Sequence, residues 1–67
     1  MKAREVGSLI RKRRVSLRLD QRTLSEISGI AVHTLSNVEA GKGNPTVATL
    51  ERVLNALGME LRIQIKE

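Results

Sequence analysis

The side chains able to do chemistry are few and poorly placed for catalysis. His33 is the single histidine in 67 residues, and cysteine is absent. A lone imidazole cannot assemble a metal site or a catalytic triad without further ligands or partners. Glu5 and Glu60 lie near the two ends of the chain, and no carboxylate pair has a spacing suited to acid–base work. The stretch Gly41-Lys42-Gly43-Asn44 is too short for a phosphate-cradling loop and lacks its Gly-Lys-Ser/Thr ending. Phe, Trp and Tyr are missing altogether. That removes single-strand binding by stacking bases on aromatic rings and counts against the aromatic RNA-binding sheets. The expectation is a chain that is not an enzyme and uses neither metal nor cofactor.

Charge is the stronger chemical signal. The formal net charge is +5. Residues 1–20 hold seven basic side chains (Lys2, Arg4, Arg11, Lys12, Arg13, Arg14, Arg18) against Glu5 and Asp20, and this segment contains the whole surplus. The remaining 47 residues carry five basic and five acidic side chains. Such a balance fits a polyanionic partner, although a basic helix can equally be a solvated face.

The elements that must position these residues are readable from periodicity. One domain spans residues 1–67, without repeats or linkers. A first helix is predicted over Ala3–Leu17, with Ala3, Val6, Ile10 and Leu17 on one face. Arg14 falls on that apolar stripe, where a charge requires a partner. Asp20 is placed to cap a second helix, Gln21–Ser28, with Leu24 and Ile27 inward and Gly29 as its left-handed terminator. A third, weakly capped after Ala31, is predicted over Val32–Ala40 with Leu35 and Val38 inward, stopped by Gly41. Gly43-Asn44-Pro45 make a turn. Thr46 then caps a fourth helix, Val47–Leu57, burying Leu50, Val53, Leu54 and Leu57, and Gly58 ends it.

The tail changes period. Across residues 59–66, Leu61, Ile63 and Ile65 alternate with Glu60, Arg62, Gln64 and Lys66, as in a strand with one buried face. A lone strand has no hydrogen-bonding partner in its own subunit. Pairing with the same strand of a second copy is the preferred expectation; a tail packed loosely on the helices is the other.

Two short amphipathic helices around a tight glycine turn, DQRTLSEISGIAVHTLSNVEAG over residues 20–41, have helix-turn-helix spacing. Together with Gly43-Asn44-Pro45-Thr46 and the Leu-rich helix ending Ala56-Leu57-Gly58, the segment resembles the XRE/Cro-CI helix-turn-helix family across about Val6–Leu61. The resemblance implies a mainly α, lambda-repressor-like bundle of four to five helices, here with a C-terminal β-strand pairing across a dimer. Thr34–Glu39 and the tail are further similar to HipB-type antitoxins, the partners of HipA-type kinase toxins.

The resemblance also implies roles. The third helix would enter the major groove, presenting Ala31, Val32, His33, Thr34 and Asn37 to base edges. Asn37 suits adenine, His33 a purine acceptor and Val32 a thymine methyl. Ala31 and Val32 offer no hydrogen bond, so direct readout should be sparse and DNA shape correspondingly important. Gln21 would meet phosphate with its amide and helix N-terminus, joined by Arg22, Thr23, Ser36, Lys42 and Asn44. Arg22 and Lys42 also fit a merely solvated surface, and Gln21 an ordinary helix start. In the family the Arg14 position pairs with the glutamate ending the third helix, here Glu39, which makes both residues structural.

The implied partners are a palindromic double-stranded operator, a second copy of the chain and a HipA-type kinase. The alternatives are a stand-alone phage-type regulator and a protein-binding adaptor using the same fold. No apolar run approaches the ~20 residues of a membrane span, and the N-terminus lacks a signal-peptide core, so the expected location is cytoplasmic.

Overall fold

The computed structural model describes residues 2–66. It holds four helices: α1 (Ala3–Ser16), α2 (Gln21–Ser28), α3 (Val32–Glu39) and α4 (Val47–Ala56). Each of α1, α3 and α4 ends one residue before the position predicted from sequence. Both predicted side-chain caps are present. Asp20 accepts from the Thr23 amide at the start of α2, and Thr46 accepts from the Thr49 amide at the start of α4. Ala31 gives α3 no side-chain cap, as its methyl group requires. Gly29 ends α2 with φ 72°, a conformation that costs glycine nothing.

The core joins all four helices. Ile10, Leu24, Ile30, Leu35, Val38, Val53, Leu54 and Leu57 are buried, with Val6, Leu19, Leu50, Ala56 and Met59 packed against them. Ile10, Leu24, Leu35, Val53 and Leu57 are the largest fully buried side chains. Each such burial stabilises the fold by about 1.5–3 kcal/mol.

Three inward positions expected from periodicity lie outward instead. Ile27 is 57 % exposed, because the inward face of α2 is centred on Leu24 and Ser28, and Ile27 is roughly a quarter turn away. Ser28 occupies the inward place and stays satisfied by donating to the Leu24 carbonyl at 2.7 Å and accepting from the Ile30 amide at 3.2 Å. Leu17 is exposed because α1 ends at Ser16 and the chain then turns through Arg18, whose φ is +58°. Leu19 takes its place against the core. Ala3, in the first turn of α1, is exposed as well.

Among the described residues there is no β-strand. The tail expected to form one, about residues 59–66, has no regular secondary structure, and Leu61, Ile63 and Ile65 are all exposed. A strand is defined by its ladder, and one chain holds no second extended segment to complete it.

Candidate nucleic-acid interface

The recognition unit is α2, a turn at Gly29–Ala31, and α3. Its orientation is set from behind by α1. Gly7 is buried against the C-terminal end of α3, where a Cβ would run into the Val38 and Glu39 carbonyls. Gly41, with φ +71°, lies against Arg4 at the start of α1, where a Cβ would meet the Arg4 backbone. Two glycines therefore let α1 rest directly on the backbone that ends α3, a closeness that any side chain would prevent.

The ion pair expected between Arg14 and Glu39 is present in bidentate form. Arg14 Nε donates to Glu39 Oε2 at 2.7 Å and Nη2 to Oε1 at 2.9 Å, while Nη1 donates to the Leu19 carbonyl at 2.7 Å. The side chains are 11 % and 4 % exposed. The hydrogen bond to Glu39 holds the guanidinium above its ordinary pKa, against the opposing effect of burial. Gln21 joins the group, its Nε2 donating to Glu39 Oε1 at 3.4 Å. One carboxylate thus links α1, the C-terminal end of α3 and the first residue of α2.

The base-reading candidates occupy one side of α3. Ala31, Val32 and His33 are exposed, and Thr34 and Asn37 are half-buried. Asn37 Nδ2 lies 3.4 Å from His33 Nε2, so these two polar groups, one turn apart, form a pair at the surface. A shallow cleft of about 160 Å³ lies between α3 and the following loop, lined by Thr34, Asn37, Lys42, Gly43, Asn44 and Pro45. The phosphate candidates surround this surface: Gln21 and Thr23 are half-buried, and Arg22, Ser36, Lys42 and Asn44 are exposed. At the start of α2, the Thr23 amide, followed by its hydroxyl, holds the Asp20 carboxyl below its ordinary pKa.

Sequence reasoning left open which basic residues of α1 are free. The structure removes Arg13 from that set: its Nε donates to the Leu57 carbonyl at 2.9 Å, closing the end of α4. In sequence Arg13 was one of several basic residues in the first helix, and nothing local marked it as the capping residue. Gly7 was equally silent, since a glycine inside a helical pattern shows its purpose only when the neighbouring helix is known.

The helix-turn-helix family model matches residues 10–64, most of the chain. The chain belongs to the XRE-type helix-turn-helix family. It is a mainly helical DNA-binding regulator domain of that family, and α2 and α3 are its helix-turn-helix. No curated protein matches the chain. No described helix of this XRE-type domain is long and apolar enough to cross a membrane, and the described residues hold no cluster of three potential metal ligands.

Proposed function

We propose that the protein is a homodimeric transcriptional repressor of a palindromic operator and the autoregulating antitoxin of a HipA-type kinase toxin. The observation that carries the repressor reading is the Arg14–Glu39–Gln21 group, which fixes the start of α2 relative to α3. A helix-turn-helix reads DNA only if its phosphate anchor and its base-reading helix keep a constant separation. In this reading Gln21, Arg22, Thr23, Ser36, Lys42 and Asn44 hold phosphates, while Ala31, Val32, His33, Thr34 and Asn37 meet base edges.

The dimer reading rests on the tail. Ile63 and Ile65 are 95 % and 94 % exposed, and they alternate with polar residues. Antiparallel pairing with a second copy would satisfy the tail backbone and cover both side chains. Two recognition helices related by such a two-fold meet half-sites about one DNA turn apart, roughly 34 Å. The antitoxin reading is supported by the likeness of Thr34–Glu39 and the tail to HipB-type proteins. A stand-alone regulator of the phage type would use the same surface without the kinase.

Binding to the duplex upstream of the protein's own gene, against a scrambled duplex, tests the repressor. A native preference that weakens steeply with salt is expected. Equal binding to both duplexes would count against autoregulation, and random-site selection without an inverted repeat would remove the dimeric operator. Co-expression with a kinase encoded beside it tests the antitoxin; failure to co-purify leaves the stand-alone regulator.

A further inference from the structure

The outward side of α1 belongs to none of the machinery described above. Gly7, Ile10 and Arg14 face α3 and the core, so Ser8, Lys12 and Val15 project on the opposite side of the helix. Leu9 and Val15 are more than half exposed there. Shallow clefts indent this side: one of about 580 Å³ between Lys2, Arg4, Glu5 and Leu9, and two of about 410 and 260 Å³ that share Lys12. Glu5 is the one acidic side chain there, against Lys2, Arg4, Arg11 and Lys12. Among the described residues, neither Arg11 nor Lys12 has an ion-pair partner. The face therefore alternates apolar and cationic ground, with Lys12 between Leu9 and Val15 along the helix.

We propose that the outer face of α1 docks an acidic, amphipathic segment of a partner protein, with carboxylates set against Arg11 and Lys12 and aliphatic side chains over Leu9 and Val15. Charge complementarity selects this occupant. A second copy presenting the same face would oppose like charges across a two-fold contact. A duplex seated on α3 lies on the far side of the domain, and phosphates offer nothing apolar to cover Leu9 and Val15. Interfacial membrane helices carry a broad apolar face rich in Trp, Phe and Leu, whereas this chain has no aromatic residue and interposes Ser8 and Ser16. Because the face is turned from the recognition unit, a protein partner and DNA can be held together. The proposal needs no kinase and holds for a regulator of either kind.

The test is a chemical-shift titration of the isotope-labelled full chain with a synthetic acidic amphipathic peptide of Glu, Leu and Ala. The expected result is saturable shifts confined to residues 5–16 and Met59. Affinity should fall by roughly tenfold in Lys12→Gln and in Val15→Ser, both surface positions. Equal binding of a peptide with Leu replaced by Ser would reduce the effect to counter-ion exchange and overturn the proposal. So would shifts centred on α2 and α3, the same shifts on concentrating the protein alone, or stronger perturbation by phosphatidylcholine–phosphatidylglycerol vesicles. Operator binding measured on the same samples separates the two readings. The variants should keep it; their losing it would assign the face to DNA. Absence of operator binding in the wild type would remove the repressor while leaving the docking result standing.

Discussion

Glu39 is the residue on which fold and recognition converge. Buried beside Arg14, it cannot be removed alone without leaving an unpaired guanidinium inside the domain. Glu39→Leu is expected to cost about 3–5 kcal/mol, read as a fall in urea midpoint. The double variant Arg14→Met with Glu39→Leu should regain much of that loss, since an apolar pair of similar volume carries no desolvation penalty. If the double variant were as unstable as the single one, the pair would be contributing more than charge neutralisation. Asn37 belongs to the same scale but to a different function. Asn37→Ala should leave stability nearly unchanged and relax discrimination at one base pair by about 1–3 kcal/mol, measured on a panel of single-base operator variants. That Arg14 needed a partner was legible in sequence, because a charge stood where the periodicity demanded a hydrophobe; that the partner is Glu39 was implied by the resemblance to the XRE family. Arg13 and Gly7 were not legible, because their roles exist only across the space between helices.

At the scale of the element, capping and close approach decide. Thr46→Ala should destabilise the domain by about 1 kcal/mol through the lost Thr49 amide acceptor, visible as a lower thermal midpoint. Asp20 adds an acid limb. Its carboxyl is depressed below the ordinary value by the Thr23 hydrogen bonds, so its contribution is fully present above the unfolded pKa. That contribution disappears as pH falls through the lower folded value. Asp20→Asn, which keeps an acceptor, should flatten this part of the acid unfolding profile. Gly7→Ala is expected to cost at least the 1–3 kcal/mol of an overpacked core, because backbone carbonyls rather than flexible side chains block the added methyl. The helices themselves were readable almost to the residue, since Asp20, Thr46, Gly29 and Gly58 mark ends by local chemistry. Ile27 and Leu17 were misplaced because a helix of eight residues, or the last turn of a longer one, leaves periodicity too short to fix which side faces inward.

At the scale of the whole molecule, the tail decides assembly. Its alternation was plain in sequence, yet one chain provides no ladder, and the isoleucines stand in solvent. Paired tails would bury them at about 1.5–3 kcal/mol each. Ile63→Asp with Ile65→Asp should therefore leave the helical domain folded but monomeric by sedimentation. It should also abolish the rise in thermal midpoint with concentration that an associating protein displays. An unchanged sedimentation coefficient between wild type and variant would remove the tail as a dimer contact. The tail has one more consequence, and it concerns turnover rather than binding. An unpaired segment of irregular backbone with exposed aliphatic residues is the kind of chain that proteases engage first. A copy without a partner would then be short-lived and a paired copy durable. Abundance would set lifetime, and falling synthesis would clear the protein faster than dilution alone.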